Sequence, residues 1–251
     1  MIEHKKTAVF FDCRDTLVAF ATKEEAWETR PLINHLINKE VVNIEEVQKY
    51  GHQMLDAYYH KHLPYEISAL QFCNLLVLRF GLKLDCSLEQ CASEMFVSLN
   101  PSPIPGVEEF LSVLEENHIP YACLSNTIYP KKEMEKLLTS FYPKHRFAFL
   151  LTSEEVGVKK PNPDFFTLGP ILLDVPLSDS IYIGDSYLQD ICGSSLAGYG
   201  LSIFFNRKKK TWEDLAFVKV FVEDYRNIPH KTIASYAELY NSKGELSLWK
   251  N

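Results

Sequence analysis

Four short polar clusters in the chain carry residue types able to do chemistry. They are Asp12-Cys13-Arg14-Asp15-Thr16-Leu17, Ser125-Asn126-Thr127, Lys159-Lys160-Pro161-Asn162-Pro163, and Gly184-Asp185-Ser186 with Asp190 four residues on. A carboxylate such as Asp12 can serve as a nucleophile and as a ligand for a hard metal ion. A serine or threonine hydroxyl can donate to a phosphoryl oxygen, and a lysine can neutralise charge on a transferring group. Asp185 and Asp190 can complete an oxygen-rich magnesium site. Together these parts suit phosphoryl transfer, in which positioning and charge stabilisation carry most of the catalysis. Taken singly, each has a plainer reading. Asp12 and Asp185 fit turns or helix caps, Ser125-Asn126 fits an N-cap, and Lys160 fits a solvated loop.

What decides between these readings is the set of elements that hold the clusters. Residues 7–11, 121–124, 147–151, 181–183 and 201–205 read as short buried strands, with a weaker strand at 218–222. Between them lie helical segments. Val107, Phe110, Leu111 and Leu114 form an apolar stripe at helical spacing, and helices follow over 131–141, 163–173, 188–197 and 230–240. Alternation of this kind predicts an α/β fold with a doubly wound, mostly parallel sheet. In such a sheet the ligand crevice lies beyond the carboxyl ends of the strands, where all four clusters fall. Residues 20–99 break the alternation. They show helical spacing punctuated by Pro31, Gly51, Pro64 and Gly81, which predicts several helices in a small all-helical cap domain over the crevice. A proline-rich link at 100–106 leads back. The expected division is a core of residues 1–19 and 100–251 and a cap of residues 20–99.

Composition narrows the function classes. The net charge of −7 argues against a nucleic-acid partner, and the one basic run, residues 207–210, reads as a solvated loop. No apolar run approaches the ~18 residues of a membrane span. The polar start leads straight into a strand, so no signal peptide is expected. None of the six cysteines forms a C-x-x-C pair or lies near a histidine at zinc-ligand spacing. A cytoplasmic location with reduced cysteines is the default expectation.

With the clusters placed at successive strand ends, the sequence resembles the haloacid dehalogenase superfamily, in the branch whose helical cap follows the first strand. The stretch Ser153-Glu154-Glu155-Val156-Gly157-Val158-Lys159-Lys160-Pro161-Asn162-Pro163 is similar to that branch's third motif and its lead-in. Gly184-Asp185-Ser186-Tyr187-Leu188-Gln189-Asp190 resembles its fourth, and Gly198, Asn206 and Arg207 also fit. The resemblance implies a magnesium-dependent hydrolase acting on a small phosphorylated metabolite, as a monomer or homodimer. It implies Asp12 as nucleophile and metal ligand, and Ser125 and Lys160 as holders of the phosphoryl group. Asp185 would be a direct ligand and Asp190 a direct or water-mediated support, with Thr16 and Asn126 assisting position.

Residue 14 departs from that pattern. Phosphatases of the family carry a second aspartate there, which protonates the leaving group and then activates water. Arg14 stays charged and cannot shuttle protons near neutrality. Its backbone carbonyl can still ligate the metal, and Asp15 is expected to point elsewhere. General acid–base catalysis is worth roughly 10²–10⁴ in rate, so three readings stand. The protein is a phosphohydrolase that is slow or favours good leaving groups; or Arg14 binds an anionic part of a substrate and the chemistry has shifted; or the protein is a non-catalytic binding module. In the cap, Tyr58, Tyr59, His60, Lys61 and His62 form the richest polar and aromatic segment. That segment either lines a substrate pocket or ends an amphipathic helix. Arg30 and Arg79 are further candidate anion contacts.

Overall fold

The computed structural model describes residues 7–20, 28–60, 63–97, 100–210 and 228–248, with backbone alone at 59, 60 and 97. The chain opens with β1 (Ala8–Phe11), an unbroken apolar run buried on both faces, as a central parallel strand requires. A short strand β2 (Val18–Phe20) leads into the helices α1 (Arg30–Asn34), α2 (Ile44–His60), α3 (Ala69–Phe80) and α4 (Leu88–Val97). Strand β3 (Pro101–Pro103) returns the chain to the alternating part. There α5 (Val107–Glu116), β4 (Tyr121–Ser125), α6 (Lys131–Phe141), β5 (Leu150–Thr152), α7 (Ser153–Val156) and α8 (Pro163–Leu173) follow in order. Next come β6 (Ser180–Gly184), a π-type turn at Tyr187–Cys192, α9 (Gly193–Ala197), β7 (Leu201–Phe205) and β8 (Lys231–Ile233).

The main sheet has six strands in the order β5-β4-β1-β6-β7-β8, all paired in parallel. The order reverses at β1, and the crevice of a doubly wound sheet forms at such a reversal. Alternation along the strands splits the core in two. Val9, Phe11, Cys123, Ile181 and Ile183 join one cluster, which also takes in the helices before β3; Phe10, Ala122, Leu124 and Tyr182 join the other, under α8. The predicted stripe on α5 holds: Val107, Phe110, Leu111 and Leu114 are fully buried. Burial of each such side chain stabilises the fold by roughly 1.5–3 kcal/mol.

Several expectations need correction. Residues 101–103 are not merely a link. They pair antiparallel with β2 in the register Val18↔Pro103, Ala19↔Ser102 and Phe20↔Pro101, a two-stranded ribbon at which the helical insertion begins and ends. Gly51 does not separate helices but lies inside α2, where its bare Cα lets Thr29 and Phe72 approach. The helix expected over 230–240 is instead the sixth strand, β8, followed by a single 3₁₀ turn at Tyr236–Leu239. The strand expected at 218–222 lies outside the described residues.

Candidate active site

The ends of β1, β4 and β6 place the predicted residues around one cavity of about 230 Å³. Asp12 follows directly on β1, its amide donating to the Ile183 carbonyl at 2.9 Å. Beneath it lies Lys160, whose side chain is 1% exposed. Its Nζ is 2.6 Å from Asp12 Oδ1 and 2.6 Å from Asp190 Oδ1, and it donates to the Tyr182 hydroxyl at 2.9 Å. The second Asp12 carboxylate oxygen has no hydrogen-bond partner among the described residues. Asp190 is fixed from both sides, since its Oδ2 accepts from the Ser186 amide at 2.8 Å. Serine at 186 also caps the π-type turn through the Gln189 amide, which orients Asp190 toward β6.

Asn126 meets the Lys160 backbone much as a neighbouring strand would. Its Nδ2 donates to the Lys160 carbonyl at 2.9 Å, and its Oδ1 accepts from the Lys160 amide at 2.8 Å. The Asn126 amide therefore positions the lysine. Ser125 is 1% exposed, lines the cavity, and its hydroxyl has no partner among the described residues. Arg14 and Asp185 also line the cavity. Thr16 does not. It is fully buried, its hydroxyl is unpartnered, and its carbonyl accepts from the Tyr236 hydroxyl at 3.0 Å. Asp15 turns away through a left-handed backbone (φ 57°), a conformation aspartate tolerates. It meets Lys208 at 2.8 Å and Arg207 at 3.5 Å.

Electrostatics follow from burial. Desolvation pushes Asp12 up to about 7; Lys160 opposes the rise, while Asp190 and Asp185 add to it. Desolvation likewise raises Asp185 to about 6, aided by Asp190 and opposed by Lys210. Burial disfavours the Lys160 ammonium, but Asp12 and Asp190 outweigh it and hold the group charged. The site therefore concentrates negative charge at its inner end. Oxygens of Asp12, Asp185 and Asp190 lie within 4.8 Å of one another. An all-oxygen donor set with strained carboxylate ionisation fits a small hard divalent cation.

Some participants were not visible in the sequence. In the sequence Tyr182 reads only as strand, yet its hydroxyl bridges Lys160 and the Leu124 carbonyl. Lys210 reaches Asp185 at 3.4 Å, so the basic run at 207–210 makes ion pairs at the rim and is not simply a solvated loop. From the helical insertion, Leu63, Glu66 and Phe96 enter the cavity wall. Glu66 pairs with Lys159 at 3.6 Å and accepts from the Ser153 hydroxyl at 3.0 Å; that hydroxyl in turn accepts from the Thr127 amide. Tyr58 packs edge-on to Tyr65, with Lys159 6.0 Å from its ring centre. The side chains of Tyr59 and His60, and residues 61 and 62, lie outside the described residues. Arg79 stacks on Tyr50 at 4.2 Å and does not line the cavity, nor does Arg30.

A further cluster of metal-binding residue types, His35, Asp85 and Cys86, lies in the helical insertion. Both ring nitrogens of His35 are already engaged, by Asp85 at 2.7 Å and Glu94 at 3.1 Å, so the group reads as a pin between α1 and α4.

A family model of haloacid dehalogenase-like hydrolases matches residues 26–204. The chain belongs to that family. Phosphoserine phosphatase of Thermus thermophilus is 32% identical over 94 residues, covering 38% of this chain and 37% of that protein. (S)-2-haloacid dehalogenase 2 of a Pseudomonas species is 28% identical over 143 residues, covering 57% and 58%. The stretch shared with these curated relatives thus falls short of two thirds of their length. The magnesium-bound HAD-hydrolase YfnB of Bacillus subtilis has the same fold, with a TM-score of 0.58, 20% identity and coverage of 94% and 97% of the two chains. Haloacid dehalogenase-like hydrolases therefore include relatives named for phosphatase and for dehalogenase chemistry, and the site itself must discriminate.

Proposed function

We propose that this hydrolase is a magnesium-dependent phosphatase of a small phosphorylated metabolite, working through an aspartyl-phosphate on Asp12. The observation that carries the proposal is the buried Asp12–Lys160–Asp190 cluster with Asp185 beside it, opening onto the cavity. Asp12, Asp185 and the backbone carbonyl of Arg14 would hold the metal. Asp190, with both oxygens engaged, would support it from behind or through water. The bound ion would neutralise charge on the phosphoryl oxygens.

The chain's own residues divide the remaining work. The free oxygen of Asp12 attacks phosphorus, and the bond to the leaving oxygen breaks with its electron pair. Lys160 favours the ionised form of Asp12 and aims it, and the Ser125 hydroxyl donates to the phosphoryl group. Water then attacks the aspartyl-phosphate, breaking the phosphorus–oxygen bond to Asp12 and releasing phosphate. Arg14 has no proton to give, so the leaving oxygen takes its proton from water. We also read residues 20–99 as a cap on a core of 1–19 and 100–251, because the β2–β3 ribbon joins them and Leu63, Glu66 and Phe96 close the cavity. Among the described residues no helix is long and apolar enough to cross a membrane, in keeping with a dissolved substrate.

Arg14 itself favours the third reading, a ligand-binding module without turnover. Calorimetry with magnesium and beryllium fluoride, alongside turnover of an activated aryl phosphate, separates the two. The proposal expects binding and turnover in wild type and loss of both in Asp12→Asn. Turnover that survives Asp12→Asn would overturn it, and metal-dependent binding with no turnover across a broad phosphate panel selects the module.

A further inference from the structure

Each carboxylate that lines the cavity already has a cation. Asp12 and Asp190 share Lys160, Asp185 has Lys210, and Glu66 has Lys159. Arg14 is the cation left over. It is exposed at the cavity, and no carboxylate among the described residues lies within ion-pairing distance, since neighbouring Asp15 turns to Arg207 and Lys208. The recorded neighbour of its guanidinium is the Phe20 ring, 5.8 Å from centre to charge. Phe20 begins an aromatic row, stacked edge-on with Phe96 at 6.3 Å, which stacks on Tyr129 at 5.3 Å. Leu63 and Met134 extend this wall. The cavity thus has a phosphoryl end at Asp12, an apolar side, and an uncompensated guanidinium.

Charge balance points the same way. Four carboxylates and three cations line the cavity, and a divalent ion beside Asp12 and Asp185 would turn that small negative balance positive. A guanidinium presents paired donors that match a carboxylate or phosphate and stays ionised at all relevant pH. Two residues of chain separate Arg14 from Asp12 by at most about 7 Å between Cα atoms. Both residues line the same cavity, so one small molecule can reach both.

We propose that Arg14 binds a second anionic group, a carboxylate or phosphate, on the leaving group, so that the cavity selects doubly anionic phosphate monoesters over neutral ones. This rests on the phosphatase reading, and the test separates the two. The substrates are aryl phosphates carrying a carboxymethyl, a phosphonomethyl or a neutral carbamoylmethyl group at the ortho, meta or para position. The methylene keeps phenol acidity closely matched, so a rate difference reports recognition.

In wild type, kcat/KM for at least one anionic isomer should exceed its carbamoyl match by tenfold or more, mostly through KM; tenfold corresponds to about 1.4 kcal/mol. Whichever anion gives the larger ratio identifies the group recognised. Arg14→Gln should bring the ratio toward one, and Arg14→Lys should retain part of it. A ratio near one at every position in wild type, or a ratio that survives Arg14→Gln, overturns the inference while leaving Asp12-dependent turnover intact. Absence of turnover for all isomers, or turnover indifferent to Asp12→Asn, overturns the phosphatase reading and this inference with it.

Discussion

A methyl group at Gly184 would overlap the Asp190 carboxylate, because the last residue of β6 passes directly beneath that side chain. Gly184→Ala must therefore push Asp190 away from Lys160. Overpacking of this kind costs roughly 1–3 kcal/mol, and urea unfolding should show it together with at least a tenfold fall in kcat; a variant as active and stable as wild type would refute the placement. Two other carboxylates make stability depend on pH. Asp12 and Asp185 ionise at about 7 and about 6 in the fold, against 3.8 for an unperturbed aspartate. Raised values mean that the stability tied to the protonated forms is present at low pH and lost as pH rises through 6 to 7. Metal-free protein should thus lose stability toward pH 8, and magnesium should restore it. Asp185→Asn should raise the Tm of EDTA-treated protein at pH 8 and abolish the gain from magnesium. A lower Tm in that variant, or an undiminished magnesium effect, would contradict the assignment. At Arg14 the missing proton donor has its own kinetic signature. Rates should rise steeply with leaving-group acidity along a series of phosphate esters, and Arg14→Asp should flatten the slope; parallel slopes for the two proteins would exclude this account.

Among the elements, α2 offers a test of packing against propensity. Gly51→Ala gains about 1 kcal/mol of helix propensity, but its Cβ would lie 2.7 Å from Thr29 Cγ2 and 3.3 Å from Phe72. The clash, at roughly 1–3 kcal/mol, should cancel or exceed the gain, so chemical denaturation should show no stabilisation. The pin between α1 and α4 is acid-dependent. Hydrogen bonds donated to Asp85, then to Glu94, raise the His35 pKa above its usual 6.5. Its contribution is therefore full at acidic pH and lost as pH rises through the raised value. The Tm deficit of His35→Gln should be larger at pH 5.5 than at pH 8.5, and a pH-independent deficit would argue against a charged pin. Elements also mark where sequence reading stops. The helices at 131–141 and 163–173 were legible from apolar residues at helical spacing, and the strand at 201–205 from a short, nearly continuous apolar run. β3 was hidden because Pro101 and Pro103 forbid a central strand, though not an edge ribbon. β8 was hidden because three residues carry no period, while Tyr236 and Tyr240 imitate helical spacing.

For the molecule as a whole, the parallel, doubly wound sheet was legible from alternation, though not its strand order, and with it the convergence of Asp12, Ser125, Lys160 and Asp185. What was not legible depends on contacts distant in sequence. Tyr182 becomes a partner of Lys160 only through the register of β6 beside β1, and Glu66 meets Lys159, far along the chain, only after the insertion has folded back. Those contacts bring the helical insertion and the strand ends to one cavity. The β2–β3 ribbon has a consequence for how such a protein changes over time. Because Phe20 and Pro101 face each other across it, the insertion leaves and re-enters the chain at a single doorway. Lengthening, shortening or exchanging what lies beyond that doorway leaves the order of the six parallel strands, and so the cluster around Asp12, as it was. Change among descendants can therefore gather beyond the ribbon while the strand ends bearing Asp12, Ser125 and Asp185 keep their places.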